Sequence, residues 1–224
     1  MTAGASKRRS VILLSGGLDS AANLAFCREQ DLPVLALTAD YGQRAAQAEL
    51  RASKELCKYY EVPHETVDLR WLGKLGGSSL TDSGLEVPVL AAEQLDQSNV
   101  TTRSAKSVWV PNRNGVLINV AAAYAERTEA ERVVVGFNVE EAATFPDNSE
   151  AFLRQASAAL GFSTANGVRV FSYTEAWNKR QIVRELKKLS RPFPFGQVWS
   201  CYLGGERPCR TCESCRRMAR AIAD

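Results

Sequence analysis

At 224 residues, with 45% hydrophobic and 24% charged residues, the chain has the composition of an ordinary globular protein of one sizeable domain with an appendage, which excludes disorder and coiled coil as global descriptions. A chain this long buries about 70–75% of its unfolded surface and needs no disulfides to fold, and no stretch approaches the ~18 uncharged apolar residues of a membrane span. Its 28 basic and 25 acidic residues leave +3, too mild a surplus to announce a nucleic-acid binder.

Taken in chain order, residues 1–10 are small, polar and basic, without the apolar core of a signal peptide, so the expected location is the cytoplasm. Residues 10–15 form a short apolar, β-branched run that stops at Gly16-Gly17, and a helix is expected from Asp19. Residues 33–39 read as a second buried strand, and 44–60 as a helix carrying Ala45, Ala48, Ala52, Leu56 and Tyr59 at helical spacing. A third strand is expected at 65–68. His64, the chain's one histidine, reads as a surface-loop residue beside Pro63. Residues 71–108 show no clear period and are too long for an ordinary connection, which marks them as a functional loop. Beyond them the pattern predicts helices over 112–127, 149–160 and 177–189, and strands over 132–139 and 168–172. Strands alternating with helices predict a doubly wound, parallel, Rossmann-like α/β sheet. Such sheets bind ligands beyond the carboxyl ends of their strands, near a topological switch point.

The residues between the first strand and first helix are Leu14, Ser15, Gly16, Gly17, Leu18, Asp19 and Ser20. Two glycines let the backbone turn tightly and approach an anion, and N–H groups at a helix start can cradle phosphate oxygens. The lysine of the usual phosphoryl-transfer loop is missing, as is the G-x-G-x-x-G spacing of dinucleotide binders. A plain glycine turn with an Asp or Ser helix cap is the structural alternative. The run S-G-G-x-D-S resembles the PP-loop of the N-type ATP pyrophosphatases. That likeness implies ATP binding, with Asp19 associated with Mg²⁺ and the departing diphosphate.

Four of six cysteines, Cys201, Cys209, Cys212 and Cys215, fall within fifteen positions. In a cytoplasmic chain such clustering reads as a metal site rather than as disulfides. Tetrahedral Zn²⁺ takes four thiolates in a closed structural site, and the nearby Arg207, Arg210, Arg216 and Arg217 would offset the negative charge. An iron–sulfur cluster uses similar spacing, but the phosphate loop and the lack of any redox signature favour one structural zinc. The expected division is an α/β domain over residues 1–190 and a zinc-binding segment over 191–224.

Together these motifs resemble the QueC family, the 7-cyano-7-deazaguanine synthases of the queuosine pathway. Matching blocks run in order over some nine-tenths of the chain. They include Asp40-Tyr41-Gly42-Gln43-Arg44, Ser78-Ser79-Leu80-Thr81, Val110-Pro111-Asn112-Arg113-Asn114, then Gly136, Pro146, Asp147 and Phe152, and Ser200-Cys201-Tyr202. The resemblance implies that ATP adenylates 7-carboxy-7-deazaguanine, ammonia displaces AMP to give the amide, and a second ATP converts the amide to the nitrile. It also implies a homodimer, with neither membrane nor nucleic acid as partner. Asp40, Tyr41 and Gln43 are expected near the nucleotide. Arg113 is expected on a phosphate or the substrate carboxylate, and Lys179 on phosphates, a solvated surface lysine being the plain alternative for the latter. Asn114, Glu141, Phe145 and Asp147 are expected in the deazaguanine pocket. For Asn114 and Asp147 a helix-capping role is the alternative.

Glu141 stands where the family has aspartate and Phe145 where it has tyrosine. Arg210 replaces a glycine and Asn112 a smaller residue. The altered run at 141–148 bears on substrate and end product rather than on adenylation. A ligase that stops at the amide or uses another amine, and a tRNA-modifying PP-loop enzyme, are the alternatives within the chemistry. A zinc-ribbon nucleic-acid module is the alternative outside it.

Overall fold

The computed structural model describes residues 7–223; positions 1–6 of the stretch read for a leader lie outside the described residues. Five strands, β1 (Arg9–Leu13), β2 (Leu32–Asp40), β3 (His64–Asp68), β4 (Arg132–Val134) and β5 (Arg169–Phe171), form one sheet in the order β3-β2-β1-β4-β5. Every pairing is parallel. This is the doubly wound sheet the alternation predicts.

Alternate side chains of each strand feed opposite faces. On one face Ile12, Leu14 and Ala36 meet α1 (Leu18–Gln30), α2 (Ala46–Tyr60) and α8 (Lys179–Leu186) through Leu24, Leu56 and Ile182. On the other face Val11, Leu35, Leu37 and Val133 meet α5 (Arg113–Arg127) and α7 (Glu150–Ser163) through Ile118 and Leu153. The chain leaves β1 toward the first face and β4 toward the second, so the topological switch point lies between their carboxyl ends. Helix α1 is buried on nearly all sides from Leu18 to Cys27. Its polar Asn23 is satisfied by Thr174 Oγ1 at 2.7 Å and by the Tyr173 N–H.

Several expectations need correction. The strand read over 132–139 ends at Val134, because its ladder partner β1 turns away into the glycine loop after Leu13. The chain instead starts the short helix α6 (Val139–Ala142), whose first turn is capped by Asn138 Oδ1 accepting from the N–H groups of Glu140 and Glu141. The segment read as a functional loop holds α3 (Arg70–Gly73) and the ten-residue α4 (Ser98–Ser107). Helix α4 is rich in Ser and Thr, weak helix formers, so its own propensity does not announce it. The tail ends in an unforeseen helix, α9 (Glu213–Ile222). Its Met218 and Ala221 join the first core face. His64 lies in β3 rather than in a loop, half-buried and bonded through Nε2 to Thr38 Oγ1 at 2.8 Å. Burial lowers its pKa. No described helix is long and apolar enough to cross a membrane.

Candidate active site and metal centre

The site begins where β1 ends. Gly16 has φ +75°, and a methyl group there would sit 2.8 Å from Ala52 Cβ, so glycine is what lets the loop lie against α2. The loop is stitched by its serines: the Ser15 N–H donates to Ser20 Oγ, and Ser20 Oγ donates to the Gly17 carbonyl. No side chain caps α1, so its first N–H groups stay available beside Gly17. Leu14 lies beneath, its carbonyl taking the Thr38 and Ser53 hydroxyls, and Leu18 is buried at the helix start.

Over this loop opens a cleft made of two adjoining cavities of about 260 and 220 Å³. Ser15, Gly17, Asp19, Glu49, Arg113 and Tyr202 face both. Gly136, at the end of β4, closes the back, so near α1 that a Cβ would lie 2.6 Å from the Ser20 nitrogen. Opposite ends of the chain thus converge on Asp19.

Asp19 pairs with Lys179 Nζ, which also contacts Glu141 Oε1 at 3.1 Å. Lys179 is buried, not the solvated surface lysine of the plain alternative. Burial alone would depress its pKa, but Asp19 and Glu141 outweigh burial and raise it above the ordinary lysine value. Burial raises the Asp19 pKa despite Lys179, with Glu141 adding to the rise. Glu141 is held below the ordinary carboxylate value because Lys179 overcomes its burial. Asp19 Oδ1 is buried without a hydrogen-bond partner among the described residues.

Arg113, in the first turn of α5, donates to Tyr41 Oη and to Asn114 Oδ1, both at 3.4 Å. Asn114 caps nothing; its Nδ2 donates to the Asp147 carbonyl and so ties α5 to the turn at Pro146–Asn148. Asp147 does not cap α7 either, since Ser149 Oγ accepts from the Phe152 N–H in that role. The Asp147 carboxylate accepts from Asn148 Nδ2, and it is Asn148 that lines both cavities. Phe145 lines the second cavity and lies parallel to Trp109, with ring centroids 6.3 Å apart. Tyr41 and Gln43 line the first cavity, whereas Asp40 lines neither and instead accepts from the Gly42 N–H to shape the turn.

Sequence reasoning overlooked Glu49, Glu140, Asn148 and the lining role of Tyr202. A signal for Glu49 existed: it interrupts the apolar stripe of Ala45, Ala52 and Leu56 on α2. Lys179 carried one as well, since a lysine in a first helical turn opposes the helix dipole. Glu140 accepts from the Lys179 N–H, Arg217 and Arg220, linking the start of α8 to α9.

Beside the cleft, the sulfur atoms of Cys201, Cys209, Cys212 and Cys215 lie within 4.8 Å of one another. Zn–S bonds of about 2.3 Å in a tetrahedron place sulfurs about 3.8 Å apart, and the Cys209–Cys215 pair stands at 3.9 Å. The N–H groups of Leu203 and Cys209 point at Cys201 Sγ, and that of Cys212 at Cys209 Sγ. Four converging sulfurs with N–H donors fit a thiolate-bound metal ion. Arg217 does not serve the sulfurs; it pairs with Glu213 and Glu140.

Comparison with known proteins gives one consistent answer. A family model described as "Queuosine biosynthesis protein QueC" matches residues 9–224. A protein of Desulforamulus reducens called 7-cyano-7-deazaguanine synthase is 50% identical over 213 residues, 95% of this chain and 92% of that protein. A protein of the same description from Pelotomaculum thermopropionicum is 47% identical, covering 95% of this chain and 96% of that one. Among solved structures, the NMN synthetase of Francisella tularensis superposes with a TM-score of 0.49 at 14% identity, over 98% of this chain and 85% of that one, a likeness too loose to bear on function.

Proposed function

The chain belongs to the QueC family of queuosine biosynthesis proteins, and from that membership we propose that it converts 7-carboxy-7-deazaguanine, ATP and ammonia to 7-cyano-7-deazaguanine. The observation that carries this reading is the partly buried Asp19–Lys179–Glu141 cluster set against the glycine loop at the switch point. A carboxylate is a poor electrophile because its leaving group would be oxide. Transfer of AMP from ATP to the carboxylate oxygen supplies a good leaving group and releases diphosphate. The N–H groups at the α1 start, the serine hydroxyls and Lys179 provide the positive field that stabilises the departing diphosphate.

Ammonia then attacks the acyl carbon, the C–O bond to AMP breaks, and an amide remains. Adenylation of the amide oxygen by a second ATP, followed by loss of AMP and two protons from nitrogen, yields the nitrile. No enzyme nucleophile is required, which agrees with a cleft offering charge and position rather than a Ser-His-Asp set. Arg113, steered by Tyr41 and Asn114, is placed to pair with a phosphate or the substrate carboxylate. Phe145 offers a ring for stacking and lines the same cavity as Glu141, while Asn114 lines the adjoining one and the Asp147 turn reaches the cleft through Asn148. The partnerless Asp19 Oδ1 is a fitting oxygen ligand for Mg²⁺, which when bound would neutralise phosphate charge.

We read residues 1–190 as the catalytic domain and 191–224 as a segment folded on one structural Zn²⁺ held by the four cysteines. The working form is a cytoplasmic homodimer that binds neither membrane nor tRNA. Mass spectrometry of 7-carboxy-7-deazaguanine incubated with the protein, Mg-ATP and ammonium tests the reaction, with Asp19→Ala as the control. The nitrile with AMP and diphosphate supports it. The amide alone would overturn the end product, and no ATP turnover without tRNA would overturn the substrate.

A further inference from the structure

The cleft contains a carboxylate to which the proposed adenylation assigns no role. Glu49 stands on α2 four residues after Ala45 and three before Ala52, both buried, and it lines both cavities, as Arg113 does. Its Oε2 accepts from Gln43 Nε2 at 2.8 Å. Gln43 is itself fixed by the Tyr41 N–H and the Ala39 carbonyl, so the Glu49 carboxylate is held in one orientation. Oε1 takes no hydrogen bond from protein among the described residues.

The cations that could neutralise Glu49 are committed elsewhere. Lys179 serves Asp19 and Glu141, and Arg113 donates to Tyr41 and Asn114. Among the described residues, Glu49 is thus the carboxylate that faces both cavities without an ion-pair partner. Enclosed, it gains by acquiring a proton or a small cation. Burial raises its pKa to about 7, with Gln43 and Arg113 opposing the rise and Asp40 adding to it; Tyr41 is the other titratable group against it.

We propose that Glu49 binds ammonium through Oε1 and accepts one of its protons, so that neutral ammonia is formed beside the adenylated carboxylate. The inference rests on the synthase reading. Ammonium gives its proton to the carboxylate, leaving ammonia and the neutral carboxylic acid. The nitrogen lone pair forms the C–N bond, the C–O bond to AMP breaks with its electrons going to AMP, and the acylammonium sheds a further proton to solvent. Glu49 then returns its proton to water. A base titrating near neutrality matches this task, since it is ionised in part yet basic enough to act.

The test uses Glu49→Gln, which keeps the shape and the hydrogen bond with Gln43. ATP–diphosphate exchange driven by 7-carboxy-7-deazaguanine without ammonium reads adenylation alone and is expected to stay at the wild-type rate. The kcat/KM for total ammonium should fall on the order of 10²-fold near pH 7, and the wild-type value should level off above about pH 7 while that of the variant keeps rising with the fraction of free ammonia. Hydroxylamine, neutral at pH 7 without help, should be accepted equally by both proteins. Loss of exchange in the variant, an unchanged kcat/KM for ammonium, or an equal fall with hydroxylamine would each overturn the proposal. Absence of exchange in the wild type would instead overturn the synthase reading, and the proposal with it.

Discussion

Gly136→Ala isolates the contact on which the cleft depends. Gly136 follows β4 and meets the first turn of α1 from behind, and an added Cβ would stand 2.6 Å from the Ser20 nitrogen and 2.8 Å from both the Asp19 carbonyl carbon and Ser20 Cα. All three are backbone atoms, so no side chain can swing aside. Restoring ordinary contact at 3.4 Å requires the two segments to part by about 0.8 Å. Overpacking of this kind costs about 1–3 kcal/mol. At roughly 2–4 °C per kcal/mol for a chain of this size, the melting temperature should drop by about 2–12 °C. The functional loss should be larger in proportion, because the displaced atoms carry Asp19 itself. A misplacement near 1 Å costs on the order of 10²-fold in rate. Scanning calorimetry and ATP–diphosphate exchange on one preparation separate the two effects. A variant that melts several degrees lower yet exchanges at the wild-type rate would refute the claim that the β4 end positions the loop. Gly161→Ala is the matched control, since nothing lies within 4 Å of its added methyl. Late in α7 it should gain about 0.4–1 kcal/mol and leave exchange untouched.

Lys179→Met leaves Asp19 and Glu141 facing each other without their cation, and should cost about 3–5 kcal/mol in urea denaturation as well as adenylation; a loss under about 1 kcal/mol would show that the pair is solvated. Cys212→Ser should drop the zinc content from one per chain toward none, expose residues 199–216 to protease and lower solubility, and unchanged metal by plasma mass spectrometry would refute the four-sulfur site. Glu49 gives a pH dependence of stability with a definite sign. Its folded pKa, about 7, exceeds the ordinary 4.5, so between those values the folded state binds more protons and stability falls as pH rises. Glu49→Gln should therefore match wild type below about pH 4.5 and exceed it above pH 7 by at most about 3 kcal/mol, less where cavity water solvates the carboxylate. Equal melting temperatures across that range would show that Glu49 titrates normally.

What could be read from the residues follows from how local each signal is. The glycine loop is a six-residue backbone device, and its strand and helix announce themselves by period, so Ser15 to Ser20 were legible in place. The cysteine spacing was legible for the same reason. Helix α4 was not, because Ser and Thr make up half of it and its order comes from distant partners, such as Ser104 bonding to Glu213. The premature end of β4 was invisible too, since Val133, Val134 and Val135 continue the β pattern and only the absence of a further β1 partner stops the ladder. Lys179 and Glu141 entered the site through family resemblance. That they share one ion cluster with Asp19, which lies 160 positions before Lys179, is a property of the sheet order alone. The segment over 141–148 shows the same limit, as Asn148 rather than Asp147 faces the cleft.

The sheet order also explains why such a costly cluster is kept. Buried ion pairs seldom stabilise a fold, because desolvation offsets most of the attraction. Here two carboxylates share a single ammonium, so the cluster is one positive charge short as it stands, and Glu141 adds to the rise that burial imposes on the Asp19 pKa. A chain selected for stability alone would do better with apolar residues at these positions. Under the proposed function the imbalance has a use, because the missing positive charge would arrive with the cation that accompanies the polyphosphate. Glu140 extends the logic outward: it fixes the Lys179 backbone with one oxygen and Arg217 and Arg220 of α9 with the other. The tail that carries the four cysteines and the lysine paired with Asp19 are therefore joined through one carboxylate. Loosening the cysteine cluster should reach catalysis through Glu140 before it reaches the core.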